Sequence, residues 1–238
     1  MPGFDHGVLS TAPLATESAC SGGDRGDRAP SVAPASATLS ARLWGLDLSQ
    51  RLPRTLTSDG VQAVPGELTR VQDFLAREVP AVQEEAHGAA PSANIVDAKH
   101  WYLQNACDVL ELRHDERTVG ILVGAPEDWS SYYVRIFAIM QAYQRPALRR
   151  RFVRECLFEP LIAHQVERIV ADTSPVNLGM AIVFNELHFH VTGHQLSDRW
   201  GPLVRYTKFL NPACEAAFNR RFAGIAGGST SSRKEDPP

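Results

Sequence analysis

Two carboxylates stand in apolar surroundings. Glu111 interrupts the strand-like run CDVLELR, and Asp172 ends the short apolar run RIVAD. A carboxylate so placed can accept a proton from a reacting group. Each also has a plainer reading. Alternation along CDVLELR puts Glu111 on the solvent side, and Asp172 opens the turn-forming sequence D-T-S-P. His188, His190 and His194, in HFHVTGH, form the one visible histidine cluster. If that segment is a regular strand, His188 and His190 share a face, and the ordinary pKa of His190 suits a proton relay. Such imidazoles can bind a metal. No carboxylate is placed with them and no zinc-type spacing is met, so no metal is expected.

Arg145, Arg149, Arg150 and Arg151 gather positive charge around the start of a predicted helix, where the helix dipole is itself positive. An anionic ligand accounts for that arrangement; so does a solvated basic face. Trp101, Trp129, Tyr132 and Tyr133 are the aromatic residues able to line a pocket, or else to fill the core.

The elements that must position these groups are legible from the pattern. Residues 54–64 contain β-formers around a Ser-Asp-Gly turn. Residues 67–79 carry Leu68, Val71, Phe74, Leu75 and Val79 at helical spacing, with Pro65 and Gly66 before them and Pro80 after. A short helix is predicted over 95–105, with Ile95, Val96, Trp101 and Leu103 partly buried. Strands follow at 107–113, 118–123 and 132–140. A helix then carries Leu148, Phe152, Cys156, Leu157 and Leu161, and Pro160 kinks it or tightens its last turns. Next come a strand over 168–172, a helix over 177–187, strands over 189–192 and 204–210, and a closing helix over 213–222. Three consecutive strands followed by alternating β and α imply an α/β domain with a mixed central sheet flanked by helices on both faces.

Composition bounds the class. The chain has 238 residues, 44% hydrophobic and 21% charged, enough apolar material for one sizeable core. Its formal net charge of -3 gives no global argument for nucleic acid. No apolar run reaches the roughly 18 residues of a membrane span, and the first residues lack a signal-peptide pattern. The scattered Cys20, Cys107, Cys156 and Cys214 form no C-x-x-C pair, which points to reduced thiols and a cytoplasmic protein. Residues 1–40 and 224–238 are small, polar and aperiodic, so disordered tails are expected around a domain spanning 41–223.

The order and lengths of these elements resemble the GCN5-related N-acetyltransferase (GNAT) family over about residues 54–210. In that family the strand before the central helix ends in a loop of the form Q/R-x-x-G-x-G/A. Its backbone N–H groups hold the pyrophosphate of acyl-CoA at a helix N-terminus. Here Gln144, Ala147 and Arg149 stand at the signature positions, so Ala and Arg replace the two glycines. Either the bulky Arg149 turns outward, or guanidinium groups take over the phosphate grip. The resemblance implies Gln144, Arg145, Ala147, Leu148, Arg149 and Asn177 as donor-binding residues. It also implies a backbone N–H near Ile139 or Met140 on the thioester carbonyl. The family pattern N-x-x-A-x-x-x-Y-x-x-x-G-F matches at Asn177 and Phe189 and departs at Met180, Phe184 and His188. The family's tyrosine often protonates the departing thiolate, and Phe184 has no proton to give.

The resemblance implies an acyltransferase that moves an acyl group from acyl-CoA, or another phosphopantetheine thioester such as an acyl-carrier protein, to a small-molecule amine acceptor. Glu111, Asp172 and His190 are then the groups available for proton transfer. It also implies that strand 132–140 splays from strand 168–172, leaving a gap for the pantetheine arm. A catalytically inactive GNAT-like module that binds a ligand or partner is the second reading, favoured by the missing tyrosine and glycines. A metal-dependent hydrolase built on the histidine cluster is the third.

Overall fold

The computed structural model describes residues 37–78, 93–197 and 200–226. Most of both expected tails, together with Val79 and Pro80, lies outside the described residues. The elements, in chain order, are α1 (Leu39–Trp44), a 3-10 turn (Leu48–Arg51), β1 (Arg54–Thr55), β2 (Gln62–Pro65), α2 (Leu68–Glu78), α3 (Ala93–Asn105), β3 (Asp108–His114), β4 (Arg117–Pro126) and β5 (Ser131–Ile139). After a 3-10 turn (Gln141–Tyr143) come α4 (Pro146–Val153), a π-turn (Arg154–Phe158), α5 (Glu159–Ala163), β6 (Arg168–Thr173), α6 (Leu178–Glu186), β7 (His190–Ser197), β8 (Gly201–Phe209) and α7 (Pro212–Ala226). None of the described helices is long and apolar enough to cross a membrane.

The strands form one eight-stranded sheet in the order β1-β2-β3-β4-β5-β6-β8-β7. All neighbours are antiparallel except β5 and β6. Helices cover both faces, as the alternation of elements requires. On one face Leu148, Phe152, Leu157 and Leu161 pack with Met180, Val183 and Phe184 over Leu110, Leu122, Val134 and Ala171. On the other, Val71, Phe74 and Leu75 of α2 pack over Ile121, Val123 and Ala138. Their i, i+3, i+4 spacing is the apolar stripe read from the sequence. The predicted partial burial of Trp101 does not occur: the residue is 63% exposed.

Pro160 acts differently from the expected kink or tightening. The turn before it widens into a π-turn, in which the Glu159 N–H reaches the Arg154 carbonyl. Proline has no N–H to offer the ladder and its ring crowds the carbonyl four residues back. An extra residue in the turn absorbs both defects.

At one end of the sheet α1 is fastened to β3 through a carboxylate. Asp108 is buried and accepts from the Ser40 hydroxyl at 2.5 Å and the Thr38 hydroxyl at 2.8 Å. Burial pushes the Asp108 carboxyl up to about 6, against the pull of the two hydroxyls. Beside it Tyr132 is fully buried, and its ring lies across Gly124.

Two tests follow from this packing. A Cβ at Gly124 runs into the immovable Tyr132 ring, so Gly124→Ala costs about 1–3 kcal/mol in urea denaturation. Gly193→Ala, whose new Cβ meets nothing nearer than the Arg205 Cβ at 3.9 Å, serves as the neutral control. Asp108 has a folded pKa above its ordinary 3.8. Its contribution to stability is therefore full below about pH 4 and lost as pH rises through about 6. Asp108→Asn removes that dependence. The stability of the variant relative to the native chain should rise by about 2–3 kcal/mol from about pH 4 to pH 7; a constant difference contradicts the assignment.

Candidate functional site

Strands β5 and β6 start together and part. Only Ser131, Tyr132 and Tyr133 pair with Arg168, Ile169 and Val170. Beyond Tyr133 and Val170 each strand continues without the other: β5 runs on to Ile139 beside β4, and β6 to Thr173 beside β8. A wedge opens between them toward their C-terminal ends.

The hydrogen-bond phase of β5 sets what faces the wedge. The Met140 N–H is taken by the Val119 carbonyl at 2.9 Å. Opposed residues of an antiparallel pair alternate between bonded and unbonded. With Gly120 opposite Ile139 and Leu122 opposite Phe137, the N–H groups of Phe137 and Ile139 point away from β4, into the wedge. Of the two residues expected to offer an oxyanion-type donor, Ile139 is therefore placed for it and Met140 is not. The Ile139 carbonyl is occupied by the Gln144 side-chain amide at 2.9 Å.

The predicted loop follows directly. Arg145 is the N-cap residue of α4, Pro146 opens the helix, and no side chain caps its first turn. That leaves helix N–H groups near Ala147 and Leu148 available. Three of the four arginines are committed elsewhere, and Arg150 is exposed. Arg145 pairs with Asp59 at 2.9 Å on the surface. Arg149 turns inward, neither outward nor into the loop, and pairs with Glu186 of α6, leaving only 11% of its side chain exposed. Arg151 pairs with Glu155 at 2.7 Å and donates to the Leu56 carbonyl at 2.6 Å. Asn177 is the N-cap of α6, its Oδ1 accepting from the Met180 N–H at 3.1 Å. Phe184 is buried between Tyr206 and Phe189, with ring centroids at 4.5 and 5.0 Å.

On the face opposite α4 and α6, Asp172 forms the centre of a polar cluster at the lip of the wedge. It is fully buried. Arg205 donates to both carboxylate oxygens at 3.0 Å, a bidentate pair. The Gln195 amide donates at 2.9 Å and the Tyr133 hydroxyl at 3.2 Å. Arg205 also reaches Glu127 at 3.1 Å. Burial raises the Glu127 carboxyl, and burial followed by the Asp172 charge raises the Tyr133 phenol. Asp172 is thus no surface turn residue but the anchor of a buried ionic network.

The other two proton-transfer candidates lie away from the wedge. Glu111 is fully buried, not solvent-facing, because α2 covers that side of β3. It accepts from the Glu67 N–H at 2.8 Å, Arg113 at 3.0 Å and the Thr118 hydroxyl at 3.3 Å. It ties the start of α2 to the sheet, two strands from the wedge. His190 contacts Glu215 of α7 at 2.9 Å and packs on Phe209 and Phe218. His188 does not share a strand face with it. His188 sits in a left-handed turn at φ 58° before β7 begins, and both His188 and His194 are exposed.

Sequence reading missed Arg135, Arg205, Gln195 and Glu127. The signal that singled out Glu111, a charged residue inside an apolar strand, is present at Arg135 in YYVRIFAIM and at Arg205 in VRYTKFL.

A mixed sheet flanked by helices, with a parallel pair parted above an uncapped helix start, is the arrangement that the resemblance to the GNAT fold led one to expect. No protein-family model matches the sequence, and no curated protein matches it. Solved structures similar to this chain include aminoglycoside N(6')acetyltransferase from Legionella pneumophila, at 12% identity and TM-score 0.49 over 66% of this chain and 95% of that one. Ribosomal-protein-S18-alanine N-acetyltransferase from Escherichia coli is similar at 13% identity and TM-score 0.46 over 63% and 94%. A GNAT family acetyltransferase from Elizabethkingia anophelis with acetyl-CoA bound is similar at 11% identity and TM-score 0.45 over 64% and 99%. Likenesses of this degree carry no argument about the site, whose reading rests on β5, β6 and their surroundings.

The Asp172 network generates a stability test. Asp172→Ala removes the acceptor of the Gln195 amide and of the Tyr133 hydroxyl bond and takes one of the two carboxylates from Arg205, at a cost of about 3 kcal/mol. In a double-mutant cycle with Arg205→Ala the two losses should overlap by at least about 1 kcal/mol. Simple additivity in denaturant titrations would contradict the pairing.

Proposed function

We propose that this chain transfers an acyl group from a CoA thioester to an amine, with the pantetheine arm lying in the wedge between β5 and β6. The observation that carries the reading is the three-residue pairing of β5 with β6, after which the strands diverge. An extended thioester arm can take the place of the missing strand partner, using the free N–H groups of β5. The thioester carbonyl meets the Ile139 N–H, a fixed dipole that strengthens as negative charge develops on the oxygen. The pyrophosphate meets the uncapped N–H groups at Ala147 and Leu148. The grip is then made by the backbone and the helix dipole, since Arg145, Arg149 and Arg151 already have acidic partners.

In the reaction the amine nitrogen attacks the thioester carbonyl carbon, the amide bond forms and the carbon–sulfur bond breaks. The thiol departs with the proton the amine gives up. Asp172 acts in this scheme as a positioning residue that holds Tyr133 and Arg205 at the lip. Phe184, enclosed by two aromatic rings, favours a second reading in which the site binds CoA without turning over.

Ala147→Asp separates the possibilities. A carboxylate in the first turn suits the helix dipole, so thermal stability should hold, while a pyrophosphate at the same place is repelled. Calorimetry should then show CoA affinity reduced about tenfold or more. Unchanged affinity would remove the donor site from this loop. Thiol release from acetyl-CoA and from an acyl-carrier protein, each assayed with amine acceptors, decides between the donors. Binding without release from either supports the inactive module.

A further inference from the structure

Arg135 lies on β5 two residues past the last pairing with β6, as Asp172 lies on β6 two residues past its own. Tyr133 contacts both of them: its hydroxyl donates to Asp172 at 3.2 Å, and the Arg135 guanidinium lies over its ring at 5.6 Å. The two residues therefore project from the same face of the sheet, on opposite lips of the wedge. That face is the one away from α4.

Arg135 has aromatic partners but no counter-charge among the described residues. The guanidinium also lies over the Tyr102 ring at 4.8 Å and donates to the Tyr102 hydroxyl at 2.8 Å. These rings fix its plane without neutralising it. Among the described residues no carboxylate lies within ion-pair distance of it, and its Nε is buried without an acceptor. That Nε is sealed from any ligand, as the Nε of Arg149 is, so what a ligand would complete is the uncompensated charge of the half-buried guanidinium, through its other nitrogens. Arg205, by contrast, has two carboxylates of its own. Position selects what completes Arg135. It is held by a planar aromatic pair, and its fork matches a planar oxyanion. The opposite lip is acidic, with Asp172 and Glu127.

We infer that the acceptor is an amine that also carries a carboxylate, an amino acid or a close relative, whose carboxylate binds Arg135 while its amino group faces the acidic lip. This rests on the proposed acyl transfer for the amine's reaction, but the carboxylate site stands on its own geometry. A carboxylate carried by the acyl group is the other source of the same chemistry. The acceptor is favoured because Arg135 opens to the face opposite the donor loop.

The test pairs each protein amino acid with its carboxamide as acceptor, using acetyl-CoA and thiol release. The acids should be preferred by tenfold or more in kcat/KM, a ratio that a charge-assisted fork supplies. Arg135→Gln should abolish that preference, chiefly through KM, and Tyr102→Phe, which releases one guanidinium N–H, should weaken it. Equal use of acids and amides, or a preference that survives Arg135→Gln, overturns the inference. So does a preference that moves to the donor, with succinyl-CoA outperforming acetyl-CoA in an Arg135-dependent way. If no acceptor is used at all, the transfer reading fails, and ligand-observed NMR with N-acetyl amino acids and their amides still decides the site. Selective binding of the acids that Arg135→Gln removes supports it; none, with both proteins folded by thermal denaturation, overturns it.

Discussion

The arrangement depends on where two parallel strands stop pairing. β5 and β6 share three residues of ladder and then diverge, because each is held more extensively by its outer neighbour. β4 follows β5 along its whole length, and β8 follows β6 to Thr173. A register shift between β4 and β5 at Val123 and Gly124 adds Arg135 as an extra residue on β5, and such bulges bend the strand that carries them. The wedge is thus produced by competition between ladders. Exposed strand N–H groups on its inner edges are the unpaired polar groups that a folded protein leaves for a ligand.

Around that wedge the two faces of the sheet have different chemistry. The face under α4, α5 and α6 is an apolar core in which Phe152, Leu157 and Leu161 are almost wholly buried. The opposite face carries the α2 stripe over β4 and then becomes polar at Tyr133, Arg135, Asp172 and Arg205. On the first face Arg149 is neutralised by Glu186, a pair that ties α4 to α6. On the second face Arg205 is neutralised and Arg135 is not, and that inequality is what gives the lip its directionality. Buried ion pairs are weak sources of net stability; the Asp172 network is better understood as fixing the orientation of the groups around the wedge.

The carboxylates illustrate how the same local pattern serves different ends. Glu111 and Asp172 both interrupt apolar strands. Glu111 closes the start of α2, Asp172 organises the lip, and Asp108 fastens α1. Each is buried because several donors converge on it, most of them from elements far away in sequence: Glu67, with the nearby Arg113 and Thr118, for the first, Tyr133, Gln195 and Arg205 for the second, Thr38 and Ser40 for the third. No local rule predicts that convergence.

Periodicity in the sequence was enough to determine the element order from β1 onward, the α2 stripe, the helix over Leu148 to Leu161 and the mixed sheet, because burial repeats every two residues in a strand and every three or four in a helix, whereas α1 and the 3-10 turn after it were not read. The weakened glycine loop was legible too, since it is local, whereas the capping role of Asn177 at the start of α6 was not read. Strand lengths were underestimated at β4, β7 and β8, where ladder partners extend pairing past the apolar residues. What only the tertiary structure decided was everything set by which edge of a strand meets which partner. That includes which of Ile139 and Met140 faces the wedge, the inward turn of Arg149, the separation of His188 from His190, and the meeting of Arg135 with Tyr102 and Tyr133. These depend on hydrogen-bond phase and on contacts between distant elements, to which a one-dimensional pattern of hydrophobicity is blind.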